Sequence, residues 1–342
     1  MDSKQTQNDA EIFPINGMIL SEKTLNFGGE SVETTDDDHP NFIESNTQAI
    51  TLEELSTNLI PTWSDNSLTI SHNNFIRTVE AAGEQVFGKL TPVEIRVSHA
   101  IQGRRPEAIH KKQSELTEQD KTVYYQRMAF VSHVSNFSRI VNGQTVNLTI
   151  GGVRSYADDQ LYRPATPQKF KIFVGYQVRV CSNMMLTCSG NSGVIQCLTE
   201  ADVFQKALEL FNGFNPEKES TLNILENLYG TRMSEQQFCN VIGRMRLYQA
   251  LPTSEQHNIP PLLIGDSAVN DAVRGYFDNP NFKKDGEDGI NCWNFLQLMT
   301  EAVKNSYIDK FTERNQNAVD LSLGIQKALN GNDTEGYSWF LN

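Results

Sequence analysis

The sequence predicts an α+β fold: an antiparallel β-sheet core over about 65–200, covered by C-terminal helices over about 200–330, behind an acidic flexible N-terminal arm. Strand-like alternation dominates the first half and helical periodicity the second, so the two element types are segregated rather than interleaved as βαβ units. Asn142-Gly143 sits between two alternating runs, the signature of a two-residue antiparallel hairpin. The run 169–180, KFKIFVGYQVRV, alternates strictly and has one wholly apolar side.

Residues 1–60 read as a disordered acidic arm. Small polar and acidic residues dominate, 33–38 is ETTDDD, and apolar residues come without a sustained period. A short amphipathic piece near 52–59 could pack on the body. Residues 61–342 then form a single body, β-rich over 61–200 and helical over 201–342.

Within the β-rich part, 68–76 has β-type composition and precedes a short helical stretch at 78–86. Residues 94–101 alternate, with Ile95, Val97, His99 and Ile101 on one side and Glu94, Arg96 and Ser98 on the other. A charged connector, 104–122, follows. Counting outward from Asn142-Gly143 pairs Val141 with Gln144, Arg139 with Val146 and Phe137 with Leu148. This gives the hairpin one dry and one wet face. In the next strand Phe170, Ile172, Val174, Tyr176, Val178 and Val180 share the apolar side, while Lys169, Lys171, Phe173, Gly175, Gln177 and Arg179 project from the other. The strand is expected to run on to Cys188.

After residue 200 the period becomes helical. Thr199 precedes Glu200-Ala201-Asp202, a cap with acids in the first turn. Helices are expected to Phe211, then over 218–229, 234–248, 266–277, 291–307 and 309–329. The Asn, Thr, Ser and Tyr residues of 291–318 suggest buried hydrogen-bond networks or a contact surface, with packing of this stretch against the sheet as the plainer reading.

Charge divides along the chain. The formal net charge is −13, yet 96–182 holds 13 Lys/Arg against 6 Asp/Glu, a balance of +7. Residues 1–95 hold 4 against 16, and 183–342 hold 12 against 20. The acidic total argues against nucleic acid; the basic middle argues for it. No apolar run approaches the roughly 18 residues a membrane span needs. The polar, acidic start has no apolar leader, and five cysteines are not a disulfide framework, so a cytoplasmic setting is expected.

The candidate site is the basic, aromatic-bearing sheet face. Phosphates need cations, and an unpaired base needs a flat surface to stack on. Phe173 would stack; Arg96, Arg104, Arg105, Lys171 and Arg179 would meet phosphates; Arg154, after Gly151-Gly152, would sit where bare backbone admits a phosphate. The competing reading is a solvated face, or one occupied by the acidic arm.

Other chemistry is thinly signalled. Cys181, Cys188 and Cys197 are spaced too widely for a zinc knuckle, and the six histidines show no metal-binding spacing. The turn 190–193 lacks the Lys of a phosphate loop. Acid pairs at Asp158-Asp159 and in the 283–289 turn match no calcium loop. No metal, cofactor or catalytic residue is expected.

IRVSHAIQGRRPEA (95–108), VNLTIGGVRSY (146–156), FKIFVGYQVRVCSNMML (170–186) and the NCWNF…RNQNA stretch resemble a phage- and plasmid-associated bacterial family, domain of unknown function 3871. The likeness covers about 65–330. Arg179–Asn183 also resembles the strand end of a broader phage and plasmid family. The resemblance implies a mobile-element setting with DNA handling, host interference or counter-defence, and no catalytic residue. A basic β-face backed by helices is similar in outline to single-strand annealing proteins. The expected function is non-enzymatic binding of single-stranded DNA or RNA in recombination or replication. The alternatives are a factor that contacts a host protein through acidic surfaces, and a nuclease or nucleotide-modifying enzyme.

Overall fold

A computed structural model describes residues 12–15, 18–21, 40–56, 60–61, 69–98, 103–104, 110–117, 120–122, 126–159, 163, 165–214, 216, 220–284, 286 and 289–342. The fold is α+β, with one seven-stranded antiparallel sheet and a helical C-terminal part. The strands are β1 (Thr47–Ala49), β2 (Glu94–Ser98), β3 (Arg127–Val141), β4 (Gln144–Ser155), β5 (Gln168–Val178), β6 (Met184–Met185) and β7 (Ile195–Cys197). They lie in the order β6-β5-β4-β3-β2-β1, and β7 also pairs with β5.

Most of the arm expected over 1–60 lies outside the described residues. Its described end packs on the body: Phe42 and Ile43 are fully buried, β1 extends the sheet, and helix α1 (Leu52–Ser56) buries Leu55.

The hairpin follows its turn residues. Asn142 and Gly143 have φ of 49° and 78°, the left-handed pair of a type I′ turn. Val141 pairs with Gln144 and Arg139 with Val146. The Phe137–Leu148 pair does not form, because the ladder shifts between His133 and Ser138 and the surplus residues of β3 bulge out. Val141, Val146, Leu148 and Ile150 still enter the main core.

Two local expectations are corrected. The strand does not reach Cys188: Ser182 turns at φ 55°, and Met184-Met185 folds back as β6 against Tyr176 and Gln177. Residues 72–76 are helical, not β-type. Ser71 caps helix α2 (His72–Phe87) by accepting the Asn74 N–H at 3.0 Å. Phe75, Ile76, Val79 and Ala82 then fall on one buried side.

Helix α3 (Glu200–Gly213) opens with a reciprocal Thr199–Asp202 capping box. It is followed by α4 (Ser220–Asn227), α5 (Glu235–Ala250), α6 (Thr253–Gln256), α7 (Asp266–Asp278), α8 (Cys292–Ala302) and α9 (Phe311–Leu329). Among the described residues no helix is long and apolar enough to cross a membrane.

Both faces of the sheet are covered. Phe170, Ile172, Val174, Tyr176 and Val178 meet α2 and α3 in the main core, as the period-2 pattern requires. Phe75 of α2 touches the rings of Phe130 and Phe170, and Tyr176 meets Phe214 beyond α3. The opposite face carries a smaller core, in which Val131, Val153 and Phe173 lie under Phe42, Ile308 and Phe311.

Candidate nucleic-acid interface

Directly opposed residues of an antiparallel ladder share a face. Arg96 opposes Ala129, Ala129 opposes Val153, and Val153 opposes Lys171, so Arg96 and Lys171 sit in one cross-sheet row. Phe173, opposite Gly151, lies on the same face, and Arg179 follows from it by period 2. Arg154 opposes Met128 and projects from the other face. Arg104 belongs to a short ribbon, 103–104 paired with 121–122. Its side chain, and Arg105 entirely, lie outside the described residues.

The shared face is not an open stacking platform. Phe173 is fully buried. A Cβ on Gly151 would come within 2.4 Å of the Phe173 ring, and one on Gly152 within 2.7 Å of Phe75. The two glycines therefore admit aromatic rings on opposite faces of β4, not a phosphate. The cluster around the ring includes Met184 and Leu186 from the same sheet edge, and Phe42, Ile308 and Phe311 from segments more than 130 positions away, beyond the reach of any local pattern.

Its cations are largely engaged inside the protein. Lys171 Nζ donates to Glu313 Oε1 and to the Asp309 carbonyl, each at 2.5 Å. Arg127, on the same face, pairs with the Asp309 carboxylate at 3.1 Å. Arg96 donates to Asn41 Oδ1 and pairs with Glu94 at 3.4 Å. Burial opposes ionisation of Glu313, but Lys171 outweighs it and leaves that carboxyl below its ordinary range. The acids that meet the basic face thus come from the 3-10 turn Ile308–Lys310 and the first turn of α9 that follows it.

Arg154 is a structural cation. It is 1 % exposed, lies 4.7 and 4.5 Å from the Tyr156 and Phe170 rings, and donates to the Ile70 carbonyl, Gln168 Oε1 and Asp159 Oδ2. Burial raises the Asp159 carboxyl above its ordinary value despite Arg154.

Helical amides tie down the sheet edge. Asn315 Oδ1 accepts the Leu186 N–H at 2.9 Å, and its Nδ2 donates to the Met184 carbonyl at 2.8 Å. Asn183 donates to the Gln297 carbonyl at 3.0 Å. Lys304 is wholly buried and donates to the Cys181 carbonyl, while its own carbonyl accepts the Glu44 N–H. The polar stretch of 291–318 is a set of such connections.

Further cations lie at the two ends of β5. At the hairpin end, Arg139 and Arg179 are exposed on either side of β4: Arg139 opposes Val146, and the Arg179 N–H donates to the Thr145 carbonyl at 2.9 Å. Ile140, 76 % exposed, opposes Thr145 and so shares the Arg179 face, whereas Arg139, in the Val146–Val178 row and 5.0 Å over the Phe137 ring, projects from the main-core face. Neither arginine has an ion-pair partner among the described residues. At the other end of β5, a cleft of about 260 Å³ is lined by Lys169, Lys171 and Lys310 among others. Sequence reasoning missed Lys310 as a site residue; Lys169 was legible from its parity with Lys171.

Of the other candidates, Cys181, Cys197 and Cys292 are buried, which pushes their thiols up to about 12, 11 and 12, whereas Cys188 and Cys239 are exposed. His133, lowered by burial, meets Thr149 Oγ1 at 2.9 Å, and His72 stacks on Tyr156. His99 and the acids of the 283–289 turn lie outside the described residues. Among the described residues no three His, Cys, Asp or Glu are grouped to hold a metal ion.

A family model described as "Domain of unknown function, B. Theta Gene description (DUF3871)" matches residues 30–341. The chain belongs to this family. The DUF3871 match begins well before residue 65 and so takes in Phe42, Ile43 and α1, the part of the expected arm that packs on the body. No curated protein and no solved structure gives a significant match to this DUF3871 chain.

Proposed function

We propose that this protein is a non-enzymatic single-stranded nucleic-acid binder that holds the strand through its phosphates at the hairpin end of the sheet. One observation carries the reading: Arg139 and Arg179 are exposed and without acidic partners, on strands flanking β4, within the chain segment whose balance is +7. Their strands are two strand spacings apart, about 10 Å, and their side chains leave opposite faces, so a strand held by both would cross the hairpin end. Ser138, Asn147, Thr145 and exposed Ile140 lie on the Arg179 face and supply neutral donors, acceptors and an apolar contact there. Guanidinium planes can also stack on bases, which gives this end part of what Phe173 does not offer. The setting we propose is the cytoplasm of a bacterial host during phage or plasmid recombination or replication; its support is the sequence resemblance.

The test is fluorescence anisotropy with labelled oligo-dT at 50 and 200 mM salt. Binding should weaken steeply with salt. Arg139→Glu combined with Arg179→Glu should lower affinity at least tenfold and leave thermal stability unchanged, since both side chains are exposed. Equal affinity of the variant, or no binding at 50 mM salt, would overturn the reading. Salt-insensitive capture of a single host protein would turn it toward the interaction-factor alternative.

A further inference from the structure

The cleft at the start of β5 is built by β4, the 156–158 turn, β5 and the start of α9. Three lysines converge on it from different elements. Lys171 is committed to Glu313. Lys169 and Lys310 have no ion-pair partner among the described residues. Ser155 also lines the cleft, and its hydroxyl has no hydrogen-bond partner among the described residues, so it is free to donate to a group bound there.

The charge arrangement selects the ligand. Arg127 already meets Asp309 and Lys171 already meets Glu313, so these carboxylates are neutralised where they stand. That leaves two ammonium groups and one hydroxyl donor against a single exposed carboxylate, Asp158. A tetrahedral dianion satisfies this donor set, whereas a neutral or cationic group does not. Asp158 can accept from a sugar hydroxyl, and Val194, 54 % exposed, offers an apolar wall. The volume suits one small ligand rather than a run of strand.

We infer that this cleft binds the phosphate monoester of a nucleotide, held by Lys169, Lys310 and Ser155. The monoester can belong to a free mononucleotide or to the 5′ end of a strand. The site stands apart from the hairpin-end grip, ten residues away along β5, roughly 33 Å of strand.

Isothermal titration of the full chain decides it, with inorganic phosphate, adenosine 5′-monophosphate, adenosine, and oligo-dT with and without a 5′-phosphate. Phosphate and adenosine monophosphate should bind and adenosine should not. Lys169→Met combined with Lys310→Met should weaken phosphate binding about tenfold or more, and Ser155→Ala about three- to tenfold. The lysine pair has no ion-pair partner among the described residues, so its thermal midpoint should match the parent. Tighter binding of mononucleotide than of 5′-phosphorylated oligo-dT identifies a metabolite site; the reverse identifies a strand-end site. Binding of adenosine as tight as its monophosphate, no binding of any phosphate at 10 mM, or an undiminished double variant would overturn the inference. The Arg139→Glu, Arg179→Glu variant should retain phosphate binding in this cleft, so failure of the strand-binding reading leaves this one standing.

Discussion

Gly151 and Phe173 are opposed across the β4–β5 ladder, and the glycine's missing side chain is the space the phenylalanine ring occupies. A Cβ there would lie 2.4 Å from the ring and 2.2 Å from the Phe130 carbonyl, which is backbone and cannot swing away. Gly151→Ala should therefore destabilise the protein by about 1–3 kcal/mol or more, read as a lower urea midpoint. Phe173→Ala should cost about 3–5 kcal/mol through its cavity. A Phe173→Ala protein of parental stability that no longer bound oligo-dT would return the ring to a stacking role.

The Lys171–Glu313 pair makes a prediction with a pH signature. The Glu313 carboxyl lies below its ordinary 4.5 in the folded protein. Its contribution is present above that pH and is lost as pH falls through the folded value. Glu313→Gln should flatten the stability curve on the acid side of about pH 4.5. At pH 7 the loss should stay under about 1 kcal/mol, because the carboxylate remains partly solvated. A parental acid limb in the variant would show that the pair contributes nothing through charge.

Arg154→Met acts in the opposite pH direction. It strands Asp159 in the core without a cation, at a cost of about 3–5 kcal/mol near neutrality. The Asp159 carboxyl already lies above its ordinary 3.8, and removal of Arg154 lifts it further. A raised carboxyl favours the fold only while protonated, so the deficit should shrink as pH falls below the folded value. Urea titrations at pH 7.5 and 4.5 measure it; a deficit that grew on acidification would contradict the pairing.

Asn315 holds β6 with both ends of its amide. Asn315→Asp keeps the acceptor for Leu186 but loses the donor for Met184, and Asn315→Leu loses both. Each should cost about 1–3 kcal/mol. Hydrogen exchange should quicken at the Leu186 amide in Asn315→Leu beyond any change at the Ile172 amide, which Ser192 accepts at 2.9 Å. Equal acceleration at both would mean a global effect rather than a released edge.

Much of the local architecture was legible in the chain. Asn142-Gly143 specified its turn, because only a left-handed pair closes a two-residue hairpin with the right twist. Thr199 and Asp202 announced α3 through their reciprocal cap. The even positions of 170–178 named the apolar face of β5 and reached the main core, while Val180, expected with them, lies past the strand end and is exposed. The bulge at 134–137, the reversal at Ser182 and the early start of α2 were not legible. Each depends on what packs against the segment rather than on its own period.

The candidate site shows the same division. Alternation by itself determined that Lys171, Phe173 and Arg179 share one side of their strand and that Arg96 lies on the polar side of its own, because successive side chains of a strand point to opposite sides. Only the tertiary structure set the register that puts Arg96 in the Lys171 row, and decided what that face meets. Phe42 and Phe311, far away along the chain, join Phe173 in one buried cluster, and Asp309 and Glu313 neutralise Arg127 and Lys171. Period 2 fixes direction and says nothing about cover, since much of the cover is supplied by segments more than 130 residues distant whose approach is set by burial of their own apolar side chains.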